Sequence, residues 1–281
     1  MSNIKIAFIG SGAMAGAMIV GLLRENLAEP KNLFASDPRV ERGVELREKY
    51  GIQSFTDNVA AVKDADVVVL SVKPQRLGSV LAQLRGNIPA GAVVLSIIAG
   101  ATIEKMGAGL GHASIIRTMP NTPAMIGEGI TVWVASDSVS ESQKEQARTI
   151  LSALGEEVFV EDEYYLDMAT ALSGTGPAYV YMFMEAMIDA GVHMGFPRRI
   201  SEKLVVQTMR GSVNYYEKND VHVAALRNQV TSSGGTSAEA LYYLEKAGVR
   251  TAISRAIWAA YQRSLELGQE NKEHVPKDQV G

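Results

Sequence analysis

"AFIGSGAMAGAM", residues 7–18, decides how the first half of the chain is read. An apolar run ends at Gly10, and Gly10, Gly12 and Ala15 then fall on the pattern G-x-G-x-x-G/A ahead of a helix-forming segment. In that setting the first glycine permits a tight turn and the second lets backbone approach a pyrophosphate. Ala15 keeps the helix close to the sheet. Gly10, Ser11, Gly12, Ala13, Met14 and Ala15 are therefore candidates for dinucleotide binding. A strand–helix turn without a ligand has the same glycines, so the flanking pattern has to carry the distinction.

It does so by alternation. Short β-branched runs at 4–9, 32–36, 65–72, 92–97 and 113–119 are separated by helix-like segments near 13–26, 38–49, 76–85 and 102–109. Several runs are apolar on successive residues, as strands covered on both faces are. Strand–helix alternation of this kind predicts a parallel sheet with crossover helices. A further strand is expected at 129–136. "SESQ" at 140–143 has the form of a capping box and predicts a helix to about Leu154.

After "EEVFVEDEYY" the strand runs stop and long helical patterns continue to the end. The expected division is residues 1–161 as a dinucleotide-binding domain and 162–281 as a helical domain. Glu161, Asp162 and Glu163 read as a solvated junction. Val249, Ile253, Ile257 and Tyr261 repeat every four residues and mark one helix face. The tail "NKEHVPKDQVG" reads as frayed.

Composition narrows the function. The 281 residues are 47% hydrophobic and 21% charged, with a formal net charge of -4, an ordinary globular balance without the basic face of a nucleic-acid binder. There are no cysteines, so disulfides, thiolate metal sites and a cysteine nucleophile are excluded. This suits a reducing, cytoplasmic setting. "MSNIKIAFIG" reads as an apolar strand without the features of a signal peptide. The most apolar stretch, 176–195, carries Glu185 and Asp189, which argues for a buried or oligomer-facing helix over a membrane span. His112, His193, His222 and His274 show no metal-ligand spacing, and no metal is expected. No nucleophile elbow or P-loop appears. A dinucleotide fold without these features favours hydride transfer, with the cofactor carrying the chemistry.

Ligands of open α/β sheets lie at the carboxyl ends of strands. Val72, Lys73 and Pro74 follow one strand, Ala99 another, and Asn121 lies in "TMPNTP" after a third. Asn121 is suited either to a nicotinamide amide or to turning the chain. The second strand ends "ASDPR". An acid there bonds the ribose hydroxyls of NAD, whereas a basic residue holds the 2′-phosphate of NADP. Asp37 and Arg39 are both present, so charge logic alone selects neither NADH nor NADPH. Asp37 also suits a cap on the following helix, ahead of Pro38.

The late stretch "TSSGGTSAEAL", 231–241, crowds hydroxyls around a Gly-Gly pair at the mouth of a helix. Free N–H groups there form a ready anion site. Thr236 and Glu239 also fit a capping box, which accounts for Thr236 but not for the two glycines and three preceding hydroxyls.

Six stretches in this order, "FIGSGAMA", "SVKPQ", "RTMPNTP", "ALSGTGPAYVY", "MGFPRR" and "QVTSSGGTSAEAL", make the chain resemble the Δ1-pyrroline-5-carboxylate reductase family over nearly its whole length. The resemblance implies a Rossmann domain followed by an all-helical domain that interlocks with a second subunit in a homodimer, with or without assembly into a higher oligomer. The reaction it implies is NADPH- or NADH-dependent reduction of the cyclic imine 1-pyrroline-5-carboxylate to L-proline. By motif, cofactor contacts fall on Gly10 to Ala15, Asp37, Arg39, Asn58, Val72, Lys73, Ala99 and Gln229. Substrate contacts fall on Ser232, Ser233, Gly234, Gly235, Thr236 and Ser237, with the Ser237 hydroxyl toward the imine nitrogen. The family usually has Pro at position 233 and Thr at 237, and some members have a small polar residue at 37. A related carboxylated cyclic imine is an alternative substrate. A β-hydroxyacid-type dehydrogenase is disfavoured, since no Lys or Asn lies between Tyr164 and Ala190. A non-catalytic nucleotide sensor is disfavoured by the retained hydroxyl at Ser237.

Overall fold

The computed structural model describes residues 4–273, with side chains through 268. The first element pair carries out the opening motif: β1 (Ile6–Ile9) runs fully buried into the glycine turn, and α1 (Ala13–Arg24) leaves it. There follow β2 (Leu33–Ser36), α2 (Val40–Tyr50), β3 (Gln53–Phe55), α3 (Asn58–Val62), β4 (Val67–Leu70) and α4 (Leu77–Leu84). Next come β5 (Val93–Ser96), α5 (Ile103–Leu110), β6 (Ile115–Met119), β7 (Gly129–Ala135), α6 (Glu141–Ser152) and β8 (Gly155–Phe159).

The strand order is β3-β2-β1-β4-β5-β6-β7-β8, parallel except where β6 meets β7. The first six strands in that order are those of a doubly wound dinucleotide fold, with its switch point between β1 and β4. Alternate residues of β1 feed opposite faces. Ile6 and Phe8 join a cluster with Met18, Leu22, Trp133 and Leu151. Ala7 and Ile9 join one with Val68, Leu70, Leu81 and Met106. Both faces are covered, which is why these strands read as continuous apolar runs.

Three elements fall outside the sequence expectation. β3 and β8 are edge strands carrying polar residues, Gln53 and Ser54 in one and Glu156 and Glu157 in the other, so neither shows a buried-strand run. α3 spans 5 residues, too short for a helical period to emerge. The capping box at Ser140 forms as expected: its side chain accepts from Gln143 N, and the Gln143 side chain accepts from Ser140 N.

The chain divides into two compact units, residues 1–175 with 260–281, and 176–259. The first also contains α7 (Tyr165–Ala169) and a π-helical turn at Thr170–Gly174. The second is helical, with α8 (Gly176–His193), α9 (Arg198–Glu217), α10 (Val223–Gln229) and α11 (Thr236–Lys246), and it holds the start of α12 (Val249–Glu273). The later part of α12 belongs to the first unit, where Ser264 Oγ donates to Asp167 Oδ1 at 2.7 Å.

The acidic junction is not uniformly solvated. Glu161 and Asp162 are exposed, but Glu163 Oε1 lies 2.9 Å from Nη1 of Arg117, a guanidinium buried in β6. Asp167 approaches the same guanidinium at 3.5 Å, and Ile103 N donates to Glu163. The buried cation draws the acid inward, because an unpaired charge there is costly. α8 is apolar but not a core helix: Met182 is 64% exposed, Met194 just beyond it is 75% exposed, and Tyr181 also faces outward. No described helix is long and apolar enough to cross a membrane. The tail from Asn271 falls almost wholly outside the described residues, as does His274.

Candidate active site

In the first unit the carboxyl ends of β1, β2 and β4 bring together the predicted cofactor residues. Gly10 has φ +90, and a Cβ there would lie 2.8 Å from Val72 Cγ1 and 3.0 Å from the Ser71 carbonyl oxygen. Only glycine fits both the dihedral and the approach. Ser71 Oγ donates to Gly10 O at 2.6 Å and so fastens the turn to β4. Gly12, the N-cap of α1, has no side-chain cap, and a Cβ there would meet nothing within 4 Å. The helix start is therefore an open cradle of N–H groups, which suits a pyrophosphate. Ala13 is exposed beside it, Met14 is half-buried and Ala15 is buried in the core cluster with Ile6 and Phe8.

Ser11 is fully buried, and its N–H and hydroxyl both donate to Asp37 Oδ2, at 3.2 and 3.0 Å. Its carbonyl accepts from Arg42 Nε at 2.9 Å. These bonds hold the glycine loop from within the protein. Arg42 is a residue that sequence reading missed, since nothing in "VERGVE" marks it as a loop contact.

Asp37 does not cap α2. The N-cap is Arg39, which has no side-chain cap bond, and Pro38 lies outside the helix. Asp37 Oδ1 instead accepts from Arg39 N and Nε, at 3.1 and 2.9 Å, and Oδ2 accepts from Arg39 Nη2 at 3.1 Å. A short-range fork to Arg39 competes better than a helix end three residues away. Burial raises the Asp37 pKa, but the bonds from Arg39 and Ser11 outweigh it and hold the carboxyl well below the usual carboxylate range. The stabilisation from this lowered pKa is present above the ordinary carboxylate range and is lost only as pH falls through the folded value. The loop brace therefore persists far into acid.

Asn58, the first residue of α3, accepts from Ser36 Oγ at 2.8 Å and donates to Gln83 Oε1 at 2.7 Å, which places it at the end of β2. Lys73 and Pro74 lie exposed after β4, and Ala99 is half-buried after β5. Asn121 turns the chain: its Oδ1 accepts from Ile130 N at 3.0 Å, leaving the NH₂ group as its remaining donor.

The second unit places Gln229 at the end of α10, with Ser232 to Ser237 immediately after it. Thr236 is the first residue of α11, the N-cap is Gly235, and no side chain caps the helix. The expected Thr236–Glu239 capping box is therefore absent. A turn closed by Gly235 N donating to Ser232 O, with Gly234 at φ +69, shifts the helix start by one residue. The N–H groups of Thr236, Ser237 and Ala238 consequently open onto the loop without an intrahelical acceptor. Ser237 is half-buried, whereas Ser232, Ser233 and Thr236 are exposed.

The helical part, residues 163–267, matches the family model described as pyrroline-5-carboxylate reductase dimerisation, and residues 5–100 match the one described as NADP oxidoreductase, coenzyme F420-dependent. The chain is 40% identical over 270 residues to a pyrroline-5-carboxylate reductase of Synechocystis sp., covering 95% of this chain and 100% of the relative. The chain belongs to the pyrroline-5-carboxylate reductase family. Among solved structures of the family, the Plasmodium falciparum enzyme with NADP bound superposes with TM-score 0.87 at 34% identity, covering 95% of this chain and 99% of that one. The Coxiella burnetii enzyme superposes with TM-score 0.88 at 34% identity, covering 94% and 98%. The Rossmann-type domain followed by a helical dimerisation domain is thus the family's plan. The exposed apolar side chains of α8 and α9, among them Leu204 and Val213, lie within the dimerisation match. Among the described residues no group of His, Cys, Asp or Glu is arranged to hold a metal ion.

Proposed function

We propose that this protein reduces 1-pyrroline-5-carboxylate to L-proline with NADPH or NADH, the last step of proline biosynthesis. The full-length kinship to reductases of that name supports it. The observation that carries it at the level of residues is the uncapped start of α11 behind Gly234 and Gly235. Residues 1–161 serve as the dinucleotide-binding domain and 162–281 as the helical substrate and dimerisation domain. The protein acts in the cytoplasm as an interlocked homodimer, whose dimers are able to assemble further. It needs no nucleic acid or membrane.

The uncapped N–H groups at Thr236 and Ser237 bind the substrate carboxylate, because Gly234 leaves the approach open and the helix dipole favours an anion. Ser232 and Ser233 line the same loop. The Gly10–Ala15 loop, Asp37, Arg39, Asn58, Val72, Lys73, Pro74, Ala99, Asn121 and Gln229 hold the dinucleotide. The bound nicotinamide supplies the hydride. The imine nitrogen must end protonated, and a serine hydroxyl is a poor acid near neutral pH. Ser237 therefore orients the imine nitrogen through a hydrogen bond and relays a proton from solvent. Acceleration comes mainly from positioning and from dipoles already in place.

Ser237→Ala is expected to lower kcat by about 100-fold, the worth of one placed donor at a reacting atom. Its melting temperature should stay near that of the parent, because Ser237 caps nothing. Steady-state kinetics with pyrroline-5-carboxylate and NADPH, beside a thermal melt, checks both. An unchanged kcat/KM removes Ser237 from the reaction.

A further inference from the structure

Glu163, from the acidic junction, reaches the loop that follows β5 and carries Ala99. A β-turn at 98–101 forms that loop: Ala101 N donates to Ile98 O at 3.3 Å, and Gly100 takes φ +71. Its entry is fixed by Ile97 N donating to Leu70 O and Ile98 N to Ser96 Oγ, at 3.1 and 3.2 Å. Its exit is α5, where the Thr102 side chain caps the helix by accepting from Lys105 N. The N–H of Ile103, the first residue of α5, is one of those a helix cannot satisfy by itself. Glu163 Oε1 accepts it at 2.9 Å, from 60 residues away. The same oxygen accepts from Arg117 Nη1 at 2.9 Å, and Arg117 faces Ser96 in the β5–β6 register. One buried guanidinium thus starts beside the loop's entry and holds the acid that fixes its exit.

We propose that Glu163 is a positioning residue for the nicotinamide end of the cofactor, acting through Ile103 and the Ala99 turn. A doubly wound fold consists of two mononucleotide-binding halves, and β1 to β3 serve the adenosine side. β5 belongs to the other half, so the turn after it meets the nicotinamide side. Gly100 gives that turn conformational freedom. Anchoring both of its ends removes this freedom before the ring arrives, so less is lost on binding. The carboxylate also complements the positive end of the α5 dipole. The proposal rests on the reading of the first unit as a nicotinamide-dinucleotide site.

The test is titration of the full-length protein, without imine, with NADPH and with adenosine 2′,5′-bisphosphate, which lacks the nicotinamide half. Glu163→Ala should raise the Kd for NADPH about 10-fold, the worth of a hydrogen bond to a charged group. The Kd for the bisphosphate should stay within about 2-fold of the parent value. Glu163→Gln keeps a neutral acceptor for Ile103 N and should raise the Kd for NADPH about 3-fold. The test therefore stands even if Glu163→Ala does not fold. Asp167→Asn weakens the pairing of the same guanidinium without touching Ile103. It should lower the melting temperature and leave the NADPH-to-bisphosphate affinity ratio unchanged. A ratio that stays at the parent value in the Glu163 variants overturns the proposal. So does an Asp167→Asn variant whose ratio moves as far as that of Glu163→Ala, since the cause would then be the stability of the ion cluster. A parent that binds neither ligand contradicts the dinucleotide reading itself. Failure to reduce pyrroline-5-carboxylate with the expected affinities in place would contradict the proposed reaction alone. Turnover with an unmoved affinity ratio would contradict this inference alone.

Discussion

Gly155→Ala is expected to lower the unfolding free energy by about 4 kcal/mol or more, an exceptional cost for one methyl group. Gly155 has φ +126, and a Cβ there would lie 2.2 Å from Gly129 O and 2.7 Å from Gly129 N. Both neighbours are backbone of the paired strand, so no side chain can yield. Gly155 faces Gly129 in the β7–β8 register, and Gly129 N donates to Leu154 O. The substitution therefore adds backbone strain of roughly 1–3 kcal/mol to the loss of edge-strand pairing. Urea denaturation read by tryptophan fluorescence suits the test, since Trp133 on β7 packs at a tilt against Phe159 of β8 with ring centroids 4.7 Å apart. A loss under about 1 kcal/mol would mean that this register does not hold.

Arg117→Met should cost about 3–5 kcal/mol, because it leaves two acids facing a buried site without their cation. Arg117 is 4% exposed, and its partners Glu163 and Asp167 come from the junction and from α7. Asp167 in turn accepts from Ser264 of α12, so one guanidinium ties β6, α7 and the last helix together. Adding Glu163→Gln and Asp167→Asn to Arg117→Met should restore much of the loss, since replacing a whole buried ion cluster costs less than breaking it. Chemical denaturation of the single and triple variants measures both. Equal stability of parent and Arg117→Met would show that the cluster bears no load.

Much of the fold was legible because local chemistry and global pattern agreed. Gly10, Gly12 and Ala15 sit at the end of an apolar run, and the runs after it alternate with helices. β3 and β8 were not legible, since an edge strand with Gln53 or Glu156 lacks the two-sided burial that makes a strand visible. The two capping-box patterns are instructive together. Ser140–Gln143 forms its reciprocal bonds, whereas Thr236–Glu239 does not, although both satisfy the spacing. What differs is the Gly-Gly turn before Thr236, which moves the helix start to Gly235.

The site residues were named by motif, but their wiring was not. Ser11 and Asp37 lie 26 residues apart, and Arg117 and Glu163 lie 46 apart. Neither bond has a local signature. Asp37 alone fits a cap, a ribose acceptor and a brace, and only the positions of Ser11 and Arg39 separate the three. The apolar texture of α8 was equally consistent with a core helix or an interface, and the exposure of Met182 and Met194 separates those two.

The most direct test of the whole account is a steady-state comparison of NADPH oxidation with pyrroline-5-carboxylate and with its six-membered homologue. The account predicts a clearly higher kcat/KM for the five-membered imine. A clear preference for the larger ring would contradict it.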